Sequence, residues 1–166
     1  MGIKYNLMKE KTEPTRVIIL EKRVVNLVKL YRNLKTELEL NGYIFHEAKQ
    51  KIKESGKYGQ YMEFTIKGFK AYDDFGKHLL DIVMKFEKVK KLENGNYILS
   101  GIISIITKVQ LDYEDRWVKT NFTRWLFEVW IHNVLLYRKY KSKYYDPAFA
   151  MQSHFDSFIK EQLGIY

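Results

Sequence analysis

The spacing of apolar and polar residues changes period along the chain, and the changes mark out its elements. Residues 16–25, RVIILEKRVV, are dense in β-branched side chains and read as a strand, although Val17, Leu20, Val24, Leu27, Tyr31, Leu34 and Leu38 also trace a heptad-like helical stripe. The pattern is best met by a strand to about Val25 and a helix from Asn26, as N-cap, to Leu40, where Asn41-Gly42 stops it. Such a helix buries Leu27, Leu30, Tyr31, Leu34 and Leu38 and turns Lys29, Arg32, Lys35 and Glu39 to water. Residues 43–53 lean towards strand because Tyr43, Ile44 and Phe45 open them, and Ser55-Gly56-Lys57-Tyr58-Gly59 reads as a turn.

From there the period is two. Met62, Phe64 and Ile66 alternate with Glu63, Thr65 and Lys67; Leu80, Ile82, Met84 and Phe86 alternate with Asp81, Lys85 and Glu87. Asp73-Asp74-Phe75-Gly76 turns the chain between these runs. Glu93-Asn94-Gly95-Asn96 carries the Asn-Gly of a tight hairpin before a long strand with Leu99, Ile103, Ile105, Val109 and Leu111 on one face. The period then returns to three and four: Phe122, Trp125, Leu126, Val129, Asn133, Leu136, Tyr137 and Tyr140 describe a helix starting near Thr120 or Asn121. Asp146-Pro147 reads as the start of a last helix that runs through Phe149, Phe155, Phe158, Ile159 and Leu163 to Gly164. The fold expected is α+β: an antiparallel sheet of four to five long strands, with one helix in the N-terminal half and two C-terminal helices packed on one face. A single domain over 1–166 is expected, with residues 1–14 as a loosely ordered arm.

Composition narrows the chemistry. With 166 residues and no cysteine, the chain is long enough for a core without staples and lacks thiolate nucleophiles, cysteine zinc sites and iron–sulfur ligands. No apolar run suits a signal-peptide core or a membrane span, so a cytoplasmic protein is expected. His46, His78, His132 and His154 show no metal-ligand spacing, and no nucleophile elbow, P-loop or dinucleotide glycine pattern occurs. Asp73-Asp74, Glu114-Asp115 and Glu63 read as turn residues or outward strand positions. No catalytic residue, metal or cofactor is therefore assigned, and the reading leans away from an enzyme.

Charge is the remaining signal. The chain holds 29 Lys+Arg against 20 Asp+Glu, a net +9. Residues 1–57 carry 13 basic and 7 acidic groups, residues 58–118 carry 9 and 9, and residues 119–166 carry 7 and 4, so the excess flanks a neutral hairpin sheet. Tyr137-Arg138-Lys139-Tyr140-Lys141-Ser142-Lys143-Tyr144-Tyr145 combines cations with rings and no acid. Cations neutralise phosphates and rings stack on unpaired bases, so Arg138, Lys139, Lys141 and Lys143 with Tyr144 and Tyr145 make a candidate RNA site. Lys22, Arg23, Lys29 and Arg32 form a second candidate patch. The leading expectation is a non-catalytic RNA-binding protein, associated with the ribosome or another ribonucleoprotein, that occupies or bridges sites.

Two further expectations come from apolar residues. Trp117, Trp125 and Trp130 suggest a long aromatic helix closing an apolar ligand cavity over a curved sheet. Ile98, Ile102 and Ile106 alternate onto the face opposite Ile103 and Ile105, which points to a homodimeric interaction module.

Overall fold

A computed structural model describes residues 10–12, 14–54, 59–112, 120–132 and 138–165. Its elements are β1 (Glu10–Thr12), β2 (Arg16–Val25), α1 (Leu27–Leu40), β3 (Ile44–Glu54), β4 (Gln60–Ala71), β5 (Gly76–Lys91), β6 (Tyr97–Leu111), α2 (Asn121–His132) and α3 (Asp146–Gln162). Residues 138–140 are also helical, and a π-helical turn, Lys141–Tyr145, joins them to α3. The α+β architecture is as expected, and β2, α1 and the hairpin meander fall where the sequence places them. The segment 55–58, expected as a turn, lies outside the described residues.

β3, β4, β5 and β6 pair antiparallel as an up-and-down meander. β2 and β1 lie end to end along the free edge of β6, β2 against Tyr97–Ile105 and β1 against Lys108–Gln110. Thus Glu10–Thr12, within the segment expected as a loose arm, are paired. β2 and β3 occupy opposite edges of the sheet, so the connection between them has to cross it. Four inter-strand gaps of about 4.8 Å span about 19 Å. A 14-residue helix is about 21 Å long, so α1 fits that width. Asn26 starts it by accepting a hydrogen bond from the Lys29 amide at 2.9 Å, and Gly42, at φ +77°, ends it.

Leu30, Leu34 and Leu38 of α1 bury against Ile66, Ile82, Met84, Phe86, Ile103 and Ile105 on the sheet's inner face, where Phe155 and Ile159 of α3 join the same core. The alternation read from sequence holds: Ile103 and Ile105 are fully buried, and Ile102 on the other face is 45% exposed. One polar pair sits inside this core. Tyr43 Oη and His78 Nδ1 share a hydrogen bond of 2.5 Å, and the His78 ring, with no exposed surface, stacks beside Tyr72.

Burial, helped by the nearby Lys70 charge, lowers the His78 pKa from 6.5 to about 4. Between those values the unfolded chain takes up a proton that the folded one refuses. Stability should therefore fall as pH drops from about 6.5 to about 4 and level off below, a swing of about 3 kcal/mol from this group. Urea unfolding of the protein and of His78→Gln across that window checks it: the slope should be shallower in the variant.

The C-terminal third departs from expectation in two places. Asp146-Pro147 does not open a separate helix, because the chain is already helical from 138. Proline cannot supply the amide hydrogen of an α-turn, and its ring crowds the carbonyl four residues back. The chain widens just before it into the π-turn, in which the Asp146 amide reaches the Lys141 carbonyl. The second departure is α2. Its start is as read, with Thr120 and Thr123 exchanging amide-to-hydroxyl hydrogen bonds at 3.1 Å as a capping box. Its apolar stripe, however, is not core: Phe122 is 68% and Trp125 56% exposed, and Val129 lies on the same face. Trp117, Asn133, Leu136 and Tyr137 lie outside the described residues, as does the Trp130 side chain. Among the described residues no helix is long and apolar enough to cross a membrane.

Candidate functional site

A concavity follows from how the inner face is covered. A 16-residue strand such as β5 runs about 50 Å, whereas a helix lying across it covers only about 10 Å. α3 covers the β2–β6 side, and the π-turn seals the far end with Tyr144 and Tyr145 around Val109 and Leu111. Beside the exposed flank of α1 the sheet is left open, forming a cleft of about 520 Å³. Its floor is Leu30, Met62, Met84 and Phe86, all buried, with Phe64 and Tyr97 beside them. Val28 of α1 and Ile52 of β3 form half-exposed apolar lips.

Polar groups are confined to the rim. Arg32 and Lys35 lie three residues apart on α1, while Glu47 and Gln50 reach from β3 opposite. Tyr31 Oη donates to Glu47 Oε2 at 2.6 Å, bridging the two walls. Burial, reinforced by the Glu47 hydrogen bond and charge, pushes the Tyr31 hydroxyl up to about 12, so it stays a donor. Glu47 keeps its charge while it accepts from Tyr31, and Lys35 also pairs with Glu39 at 3.9 Å, so Arg32, with Lys35 beside it, is the cation placed to meet an anionic ligand. Two long thioethers in the floor can repack around ligands of different shape. The volume lies within the range of small-molecule sites. Trp125, expected to roof a cavity, does not line this one; α1 does.

The basic, tyrosine-rich stretch proves to be largely an anchor. Tyr144 and Tyr145 are buried, at 2% and 5% exposure, and neither can stack on a base. Tyr144 Oη donates to Asp73 Oδ2 at 2.7 Å, and Lys143 Nζ pairs with the same oxygen. Asp73 Oδ1 accepts from the Phe75 and Gly76 amides, both at 2.9 Å. Partial burial pushes the Asp73 carboxyl up, but the hydrogen bonds from Lys143, Tyr144 and the two amides outweigh it and hold the group well below the ordinary carboxylate range. The Tyr144 ring lies so close over Gly76 that a Cβ there would overlap it, which explains a glycine at the start of β5. Asp73, read from sequence as turn chemistry, is thus also a tertiary contact. Arg138, Lys139 and Lys141 remain exposed on the helical segment.

The second candidate patch is divided. Lys22 and Arg23 are exposed at a bulge in β2, where Lys22 has φ +45° and its amide donates to Ser100 Oγ at 3.0 Å. Lys29 and Arg32 share a face of α1, and only Arg32 reaches the cleft. Sequence reasoning saw the floor residues as core but missed the opening framed by Lys35, Glu47, Gln50 and Ile52. The available signal was Ile52 itself, an apolar residue alternating with Lys51 and Lys53 at the end of β3. Among the described residues no group of three acids or histidines gathers to hold a metal. Comparison of the chain with protein-family models, with curated proteins and with solved structures gave no match.

Proposed function

We propose that the protein binds a small amphiphile with an apolar body and an acidic head in the cleft between α1 and the sheet. The observation that supports this reading is the pairing of a 520 Å³ apolar recess with two rim cations, Arg32 and Lys35. The apolar body would displace water from the Met62, Met84 and Phe86 floor, and the head would sit near the guanidinium and ammonium groups. Binding, transport or storage needs no catalytic residue.

Anilinonaphthalene sulfonate, an anionic fluorescent amphiphile, and its neutral relative N-phenyl-1-naphthylamine test the reading together. Both should bind saturably to the folded protein, and Ile52→Trp, which narrows the mouth from an exposed position, should block both. Replacing Arg32 and Lys35 by Ala should weaken the sulfonate by about tenfold and leave the neutral probe unchanged. Absence of saturable binding, or binding indifferent to Ile52→Trp, removes the proposal.

A second reading, contact with RNA, now rests on the exposed Arg138, Lys139 and Lys141. It takes precedence if the probes fail to bind while the protein retains RNA on a filter at low salt.

A further inference from the structure

β3 is the last strand of the sheet: β4 pairs with one of its edges, and no described residue pairs with the other. A bulge between Glu47 and Lys49 interrupts the strand, but from Lys49 to Glu54 the register against Thr65 to Gln60 is unbroken. That stretch is about 20 Å long. In an antiparallel strand every second residue turns its amide and carbonyl away from the paired neighbour, so three of these six residues offer donors and acceptors to a further strand. The side chains are sorted by face. Gln50 and half-exposed Ile52 line the cleft on the inner face, while Lys49, Lys51 and Lys53 stand exposed on the outer one. Opposite them on β4 are Thr65, Glu63 and Tyr61, so one carboxylate meets three ammonium groups. Lys49 takes it, at 3.1 Å, and Lys51 and Lys53 make no ion pair among the described residues.

The lysine row decides between occupants of this edge. A second copy adding its own β3 antiparallel, centred on Lys51, would set Lys51 against Lys51 and Lys49 against Lys53. Like charges directly opposite destabilise a strand pair, and lysine on a free edge guards against such pairing. The same row favours a strand with carboxylates at every second position. Direction does not matter, because alternate side chains of any strand share a face. The residues between the carboxylates then fall on the inner face beside Ile52, where apolar side chains extend the lip of the cleft.

We propose that the free edge of β3, from Lys49 to Glu54, binds an extended acidic peptide as an added strand, with its carboxylates beside Lys49, Lys51 and Lys53 and its alternate apolar residues beside Ile52. Main-chain hydrogen bonds hold such a strand and the lysines select it. The site needs no ligand in the cleft, so it stands apart from the amphiphile reading.

A fluorescein-labelled peptide, Glu-Val-Glu-Val-Glu-Val-Glu, tests this on the full chain by fluorescence anisotropy at low ionic strength. It should bind saturably, and Lys51→Glu combined with Lys53→Glu should weaken it about 30-fold, two attractive cross-strand pairs having become repulsive. The main-chain bonds are read separately. Two further peptides, one N-methylated on its glutamates and one on its valines, keep the charge of the parent. At least one should lose binding, because the amides facing β3 belong to one set or the other. Amide hydrogen exchange of Lys49–Glu54 should also slow at saturating parent peptide. If the double variant is unfolded by circular dichroism, the methylated peptides decide on the wild type alone. No saturable binding, a folded double variant that binds as tightly as the wild type, or two methylated peptides that both bind like the parent overturns the proposal. So does exchange at Lys49–Glu54 that slows with protein concentration alone, since that assigns the edge to a second copy.

Discussion

Gly101→Ala should cost more than about 3 kcal/mol and empty the cleft of its fluorescent probes, although it adds only one methyl group. Gly101 lies in β6 between Leu20 of β2 and Phe86 of β5. A Cβ there would overlap the Lys85 carbonyl oxygen and stand 2.9 Å from the Phe86 Cα. Both are backbone atoms of the neighbouring strand, so no rotamer change relieves the contact and the two central strands have to separate. Phe86 forms part of the cleft floor, which couples this strand spacing to ligand binding. Gly95→Ala is the matched control. Its site, in the hairpin at φ +79°, has open space around a Cβ and suffers only backbone strain, about 1 kcal/mol. Urea midpoints decide the matter: a shift for Gly101→Ala no larger than for Gly95→Ala would show that β5 and β6 are not so closely packed.

The contrast between these glycines illustrates what was legible in the sequence. Gly95 follows Asn94 in a recognisable turn signal, and local chemistry suffices to place it. Gly101 sits in a strand pattern that gives no sign of how near another backbone will come. The same division holds elsewhere. Asn26, Thr120 and the alternations in β4 to β6 act on residues within a few positions of themselves, so β2, α1 and the meander could be read directly. Order in the sheet could not: that β2 joins β6, sending α1 across the inner face, depends on pairings between residues about 80 positions apart, such as Ile19 and Ile102. The cleft is a further step removed, since it is space left over when one helix crosses strands much longer than its own width. The stretch 137–145 was legible only in part for a related reason. Arg138, Lys139, Lys141 and Lys143 are exposed, as a run of cations suggests, but Tyr144 and Tyr145 are buried, and the acid that Lys143 and Tyr144 share, Asp73, is supplied from 70 residues upstream of Lys143.

That contact carries the second large expectation. Asp73→Ala should lower stability by about 2–4 kcal/mol, since one carboxylate satisfies two amides, the Tyr144 hydroxyl and the Lys143 ammonium. Asp73→Asn should cost about half as much: its remaining oxygen can still serve the Phe75 and Gly76 amides, while its NH2 group faces two donors. Acid should mimic the asparagine. Because the folded carboxyl titrates below its ordinary value of 3.8, the unfolded chain is protonated first as pH falls. The contribution is complete above that value and is lost below it, and Asp73→Asn should not show that loss. The damage should also be local. Tyr144, Tyr145 and Ala148 form a small cluster with Val109 and Leu111, separate from the main core under α1. Hydrogen exchange should therefore accelerate in the π-turn and the first turns of α3 while β3, β4 and α1 keep their protection. Exchange that rises uniformly, or stability unchanged in both variants, would show that the turn after β4 does not hold the C-terminal helix in place. The cleft probes should still bind to Asp73→Asn, because none of its lining residues belongs to that end of the sheet.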